Sequence, residues 1–138
     1  MIEGTFFIEK VKCYFNFLET ECEYRIQCEK INGNLFYEIL YQDDNTAVSI
    51  SYENIENYLL VIVFLLQEGK LPNYDDKTKT LHLNELNARI MRLIGADEIN
   101  SNLHFFLKFS AQNPIEKSLL KSARELRLCL KHISSYKM

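Results

Sequence analysis

The chain contains, at residues 35–52, the stretch LFYEILYQDDNTAVSISY. Residues 35–42 are rich in aromatic and β-branched side chains, and residues 48–52 alternate between apolar side chains and serine. This composition and alternation are typical of strands with one buried face. Between the two segments, Asp43-Asp44-Asn45 predicts a turn, because Asp and Asn side chains accept hydrogen bonds from turn backbone. The stretch therefore predicts two neighbouring strands of an antiparallel meander.

The segments on either side of this stretch extend the meander. Asn32-Gly33 supplies the positive φ angles of a tight hairpin turn before it. The apolar run from Leu59 to Leu66 fits either a central strand or a fully buried helix, and its β-branched triplet Val61-Ile62-Val63 favours the strand. Residues 22–28 alternate with a period of two, which predicts a further strand with a buried side formed by Cys22, Tyr24, Ile26 and Cys28.

Helical periodicity marks both ends of the chain. Residues 6–18 carry an apolar stripe at helical spacing, with Thr5 before it as a candidate N-cap. Asn113-Pro114-Ile115-Glu116 predicts a helix start, with Asn as the cap, Pro at the first position and Glu at the third. The first stripe consists of Phe7, Val11, Tyr14, Phe15 and Leu18, and the final helix continues through Ile115, Leu119, Ala123, Leu126, Cys129 or Leu130, and Ile133.

Two shorter helices are predicted between the sheet and the final helix. Residues 86–94 carry one apolar face, with Asn84 as the cap and Gly95 as the end, and a second helix is predicted from Leu103 to Ala111. The fold class that follows is α+β. We expect a single domain, residues 1–138, with an N-terminal helix, an antiparallel four-stranded meander and C-terminal helices packed on one face.

The net charge of −3 is distributed unevenly along the chain. Residues 1–76 hold 14 Asp/Glu and 5 Lys/Arg, a net of −9, whereas residues 77–138 hold 5 and 11, a net of +6. Two interpretations stay open. The two halves complement each other internally, or an acidic face is left exposed to attract a basic partner.

The sequence predicts a cytoplasmic protein without a membrane segment. Glu3 and Glu9 surround the short apolar run at the N-terminus, which does not fit the basic start of a secretory signal. The longest apolar run, Tyr58 to Leu66, has nine residues, whereas a membrane-spanning helix needs roughly 20. The four cysteines show neither CxxC spacing nor the density of a disulfide scaffold, so we expect small core residues.

The sequence lacks the residue patterns of catalysis and cofactor binding. With only four glycines it offers no phosphate-cradling loop, and it contains no GxSxG elbow. His82, His104 and His132 are each more than 20 residues apart, so they do not predict a zinc site. His82 with Glu85 as an acid and base is an alternative to a helix-capping role. We therefore expect a protein that is not an enzyme and uses no metal or cofactor.

Two surface features are candidates for binding. The final helix carries Lys117, Lys121, Arg124 and Lys131 in one stripe, which fits phosphate contacts but fits a solvated helix face better. The strand half concentrates tyrosines and acids, a combination in which Tyr supplies burial and the acids steer a basic protein. The predicted partner-binding residues are Tyr41, Asp43, Asp44, Glu53, Glu56, Tyr74, Asp75 and Asp76.

Three segments carry a family resemblance: Phe17-Leu18-x-x-Glu21, Ile50-Ser51-Tyr52-Glu53, and the Ala/Leu-rich helix from Ile115 to Ile133. With them the chain resembles the immunity proteins of bacterial polymorphic toxin systems, including contact-dependent growth inhibition. The resemblance implies a cytosolic protein that binds and blocks the C-terminal domain of a cognate toxin, often a basic nuclease. The alternative is a regulatory or nucleic-acid-binding domain that uses the basic final helix.

Overall fold

The computed structural model describes residues 2–133. These residues form five α-helices and one five-stranded antiparallel sheet, so the predicted α+β class is confirmed and the predicted count of four strands is wrong. The chain divides into two compact units between His82 and Leu83. A single domain, and the packing of the C-terminal helices on one face of the sheet, stay predictions.

The first unit contains the whole sheet. Its strands follow one another in space in chain order, and each pairs antiparallel with the next. The run that fitted either a strand or a helix is a strand, and a short last strand was missed. The strands are β1 (Arg25–Asn32), β2 (Phe36–Gln42), β3 (Thr46–Glu53), β4 (Tyr58–Leu65) and β5 (Thr80–His82).

Helices α1 (Gly4–Tyr14) and α2 (Phe17–Thr20) precede the sheet, and α1 contacts β1 and β2. Every residue of the predicted apolar stripe is buried. The ring of Phe7 lies 5.9 Å from that of Tyr37 and 5.8 Å from that of Tyr52, which shows how the helix meets the sheet. The helix begins earlier than predicted, with Glu3 as its N-cap, so Thr5 lies inside it. It also ends earlier than predicted, at Tyr14, so Phe15 follows it and Leu18 lies on α2.

A β-bulge corrects the prediction for the first strand. Ile26 pairs with Tyr41, but Cys28 pairs with Leu40, so one extra residue, Gln27, lies between the two pairs. Because successive side chains alternate between faces, this insertion moves Cys28 to the opposite face from Ile26. Cys28 is exposed, as is Cys13 on α1, and Cys22 is half-buried. Among the four cysteines only Cys129 is the buried core residue that we expected.

Strand β3 lies at the centre of the sheet and is buried on both sides. Seven of its eight residues are buried, and Glu53 is half-buried. One face carries Val48, Ile50 and Tyr52 and belongs to the side covered by α1. On the other face Ala47 packs in a separate apolar cluster. The members of that cluster are Ala47, Ile62 and Phe64, with Leu40, Leu60 and Leu66 at its margin.

The second unit consists of α3 (Leu83–Ile90), α4 (Ala96–Phe105) and α5 (Pro114–Lys131), with 3₁₀ turns at residues 91–93 and 106–108. Both α3 and α4 contact α5. The predicted start of α5 is confirmed, since Asn113 Oδ1 accepts a hydrogen bond from Glu116 N at 2.9 Å with Pro114 at the first position. Within the described residues we find no helix with the length and hydropathy of a membrane span.

Three predictions for this unit are wrong. Helix α3 begins at Leu83, so Asn84 lies inside the helix and does not cap it. Gly95 has φ −78° and is the N-cap of α4, so it opens a helix and does not close one in the left-handed conformation. Helix α4 therefore occupies residues 96–105, earlier than the predicted helix from Leu103 to Ala111.

Candidate partner-binding surfaces at the two ends of the sheet

An antiparallel meander places its turns alternately at two ends. The β2–β3 turn (residues 43–45) and the β4–β5 loop (residues 66–79) form one end, which we name the Asp43 end. The β1–β2 turn (residues 33–35) and the β3–β4 turn (residues 54–57) form the other, the hairpin-tip end. Since a strand rises about 3.3 Å per residue, β3 separates the two ends by about 23 Å.

This topology divides the predicted partner-binding residues. Asp43, Asp44, Tyr74, Asp75 and Asp76 lie at the Asp43 end, whereas Glu53 and Glu56 lie at the hairpin-tip end. Tyr41 belongs to neither surface. It is fully buried on the side of β2 that carries Ile39, so our placement of Tyr41 on the binding surface was wrong. The alternation of Tyr37, Ile39 and Tyr41 along β2 was the signal for this burial.

At the Asp43 end, the carboxylate of Asp43 holds its own turn together. Its Oδ1 accepts hydrogen bonds from the backbone N of Asn45 at 2.8 Å, from the N of Thr46 at 2.7 Å and from Thr46 Oγ1 at 3.1 Å. The Thr46 hydroxyl also bonds the Tyr24 hydroxyl. Burial raises the pKa of Tyr24 to about 12. Asp43 is therefore a structural acid of the turn.

The β4–β5 loop repeats this use of acids. Asp76 Oδ1 accepts hydrogen bonds from Thr78 N at 3.0 Å and from Thr78 Oγ1 at 2.5 Å, and these bonds lower the pKa of Asp76. Tyr74 is exposed and makes an edge-on ring contact with His82. The loop holds three acids and three lysines, so its net charge is zero. Beside the turn lies a polar cleft of about 220 Å³ lined by Cys22, Glu23, Arg25, Asp43, Asp44 and Asn45.

At the hairpin-tip end, the buried side chain of Asn54 joins three segments. Its Nδ2 lies 2.7 Å from the carbonyl oxygen of Asn34, 3.0 Å from that of Ile2 and 2.8 Å from the Tyr37 hydroxyl. The Tyr37 hydroxyl in turn donates to the Ile2 carbonyl at 2.8 Å. The backbone N of Asn54 donates to the Leu35 carbonyl at 2.9 Å. The two tips and the N-terminal segment are thus held in one arrangement.

The β3–β4 turn is closed by Glu53. Its two carboxylate oxygens accept hydrogen bonds from Ile55 N at 2.8 Å and from Glu56 N at 3.0 Å. Asn57 takes the left-handed conformation with φ 54°, and its Oδ1 accepts a bond from the Tyr52 hydroxyl at 2.9 Å. Three large apolar side chains remain exposed around these turns: Leu35 at 52%, Ile55 at 71% and Tyr58 at 56%.

The charged residues of the three central strands and their turns are all acidic. Residues 31–69 contain six Asp/Glu and neither Lys nor Arg. This segment supplies β2, β3 and β4 and every turn between them. Over the whole first unit, 14 acids against 7 cations give a net charge of −7. In the sequence, the nearest cations on either side of this segment are Lys30 and Lys70.

The basic stripe lies on α5 in the second unit, where 5 acids against 9 cations give +4. Lys117 and Lys131 are exposed, and Lys121 forms an ion pair with Glu125 at 3.7 Å. Lys121 and Arg124 border a groove of about 210 Å³ that is shared by α3, α4 and α5. The apolar residues of the groove are Met91, Ile99, Leu103 and Leu128.

Residues 2–133 contain no cluster of three or more His, Cys, Asp or Glu side chains that could hold a metal ion. The buried Cys129 has its pKa raised to about 12 by burial, so it is held as a thiol. Its Sγ lies 3.8 Å from Asn87 Oδ1 as a hydrogen-bond donor. The raised pKa and this contact favour a structural role for Cys129.

Comparison with known proteins gives a sequence similarity but no family or solved fold. The chain matches no protein-family model, and no solved structure matches it. It is 30% identical over 125 residues to an uncharacterized protein of Plasmodium falciparum (isolate 3D7). The aligned region covers 86% of this chain, and the chain spans about 5% of the length of that protein.

Proposed function

We propose that this protein is an immunity protein, which binds the C-terminal domain of a cognate bacterial toxin in the cytoplasm and neutralises it by protein–protein contact. The observation that carries the proposal is the complete lack of Lys and Arg in residues 31–69, the segment that forms the central strands and their turns. A surface of one sign steers an oppositely charged protein and rejects like-charged ones. The family resemblance of the sequence supports the same function.

Neutralisation follows from the chemistry of the proposed partner. A toxin domain that cuts nucleic acid needs cations to hold phosphates. An acidic protein that covers the Lys and Arg side chains of the toxin domain competes directly with the nucleic acid for them. This inhibition needs no catalytic group on the immunity protein. It needs acids on a firm scaffold and apolar anchors that slow dissociation.

Co-expression is the direct test of this function. We expect the chain to restore growth of cells that express the C-terminal domain encoded by the neighbouring upstream gene. In calorimetric titration of the two purified proteins, we expect the affinity to fall at least tenfold between about 0.05 M and about 0.5 M NaCl, because salt screens exposed charges. The proposal is refuted if the chain neither protects the cells nor binds the toxin domain at the lower salt concentration.

A second candidate function is nucleic-acid binding by the second unit, and the +4 charge with the exposed Lys117 and Lys131 favours it. This function predicts that the Lys117→Glu/Lys131→Glu variant weakens binding of a labelled RNA or DNA duplex and reduces the salt dependence. A gel-shift titration measures both. Lack of a complex with the unmodified chain at low salt excludes this candidate.

A further inference from the structure

We propose that the partner docks on the hairpin-tip end, with Leu35, Ile55 and Tyr58 as apolar anchors and Glu53 and Glu56 as the acids beside them. This inference rests on the proposed function and specifies its surface. The occupant is a basic surface of the toxin domain that contains an apolar depression. The Asp43 end, which holds most of the acids predicted from sequence, is not the docking surface.

Exposure of apolar side chains alone does not separate the two ends. Leu71 and Tyr74 at the Asp43 end are 50% and 56% exposed, comparable with the residues of the hairpin tips. Clusters of exposed apolar side chains mark interaction sites when they form one patch. At the hairpin tips the patch is concentrated, because Leu35 and Asn54 share a backbone hydrogen bond and Ile55 follows directly. The rigidity of the turns and the lack of cations beside the apolar side chains then distinguish the hairpin-tip end.

Rigidity favours the hairpin tips. Both turns there are short, and the buried Asn54 side chain ties them to each other and to Ile2. Glu53 fixes the backbone of Ile55 and Glu56. The Asp43 end instead includes the long loop of residues 66–79. A preformed surface loses less conformational entropy when it binds, so the hairpin tips present their anchors at a lower cost.

Charge identifies the occupant. Residues 33–35 and 54–57 contain Glu56 and no cation, and Glu53 borders them. The Asp43 end is also acidic, with five acids, but three lysines lie among them in its loop. A second copy of the chain would place Glu53 and Glu56 against the same acids, and like charges across an interface are unfavourable. Nucleic acid is repelled for the same reason. A basic protein surface remains.

The experiment compares two matched double variants in titrations against the purified C-terminal domain from the upstream gene. Ile55→Ser/Glu56→Lys alters the hairpin tips, and Leu71→Ser/Asp44→Lys makes the equivalent change at the Asp43 end. Each variant removes one exposed apolar side chain and reverses one exposed acid, so long-range steering changes equally. We expect at least tenfold weaker binding for the first variant and less than threefold for the second.

The outcomes separate the two proposals. If the unmodified chain binds but the Asp43-end variant is the weaker one, or the two variants weaken equally, the docking surface is wrong and the proposed function stands. If the unmodified chain does not bind, the function fails and the docking proposal fails with it. Association of the chain with itself in sedimentation, lost in the hairpin-tip variant, also overturns the docking proposal. Circular dichroism and urea unfolding confirm that both variants are folded.

Discussion

The two ends of the sheet use similar residues for different purposes. At the Asp43 end, acids hold turns closed and lysines neutralise the rest of the loop. At the hairpin-tip end, the buried amide of Asn54 and the carboxylate of Glu53 hold the turns. Apolar side chains are left exposed there beside Glu56, with no cation in either turn. The comparison teaches that acids in a turn do not by themselves indicate a binding surface. The exposed apolar side chains, the rigidity of the turns and the cations beside the acids distinguish the two ends.

The largest effect is expected from breaking the hairpin-tip network with Asn54→Ala. This change leaves the Asn34 carbonyl without its side-chain donor and removes one of the two donors to the Ile2 carbonyl, in a partly buried site. The loss costs about 2 to 3 kcal/mol of unfolding free energy. Urea denaturation measures it. Asn34→Ala is the matched control, because Asn34 takes part through its backbone, and should change stability by less than about 0.5 kcal/mol. Equal losses in the two variants would contradict this role of Asn54.

The corresponding change at the Asp43 end is Asp43→Ala. We expect the free energy of unfolding to fall by about 1 to 2 kcal/mol, since one carboxylate oxygen accepts three hydrogen bonds in this turn. Asp44→Ala, at the exposed neighbour, is the control and should be nearly neutral in the same urea titration. A neutral Asp43→Ala would mean that this acid is available to a partner after all.

A smaller effect on stability is expected from two tyrosines on the same face of β2. Tyr37 bonds into the hairpin-tip network, whereas the buried hydroxyl of Tyr41 has no hydrogen-bond partner among residues 2–133. Removing an unsatisfied buried hydroxyl is favourable, so Tyr41→Phe should stabilise the protein by about 1 kcal/mol. Tyr37→Phe should destabilise it by about the same amount. Thermal and urea unfolding of both variants check the two signs, and destabilisation by Tyr41→Phe would show that its hydroxyl is satisfied.

The smallest effect concerns the acid dependence of the Asp43 end. The hydrogen bonds from Thr78 lower the pKa of Asp76 below its ordinary value of 3.8. The stability from this carboxylate is therefore complete above pH 3.8 and is lost as the pH falls through the lower pKa of the folded state. Asp76→Asn should flatten that part of the profile slightly. Urea midpoints between pH 2 and pH 7 measure it, with Asp75→Asn as the control, and identical profiles for all three proteins would refute the assignment.

Most elements of the fold were predictable from periodicity. The stripe of α1, the turn at Asp43, the strand from Tyr58 to Leu65 and the start of α5 all follow from local patterns that the structure confirms. The bulge at Gln27 was not predictable, because pairing with β2 decides it. Strand β5 has only three residues, which is too short for a period of two to be visible.

For the candidate site, the sequence predicted the acids and tyrosines but not the exposed apolar side chains. Its predicted strand at residues 48–52 already separates Glu53 and Glu56 from Asp43, although these residues were combined in one partner-binding set. It also missed Leu35 and Ile55, because a single apolar residue in a turn gives no periodic signal. The reading of Tyr41 as exposed was avoidable, since it shares the alternation of Ile39.

The lack of Lys and Arg between Lys30 and Lys70 has a consequence for chemical mapping. Trypsin cleaves after these residues, so digestion releases residues 31–70 as one peptide that contains both hairpin tips. Amine-reactive cross-linkers find no lysine anywhere on the central strands. Mapping of the complex therefore requires reagents that couple carboxylates, with Glu53 and Glu56 as reporters, or a protease that cuts beside acidic or aromatic residues.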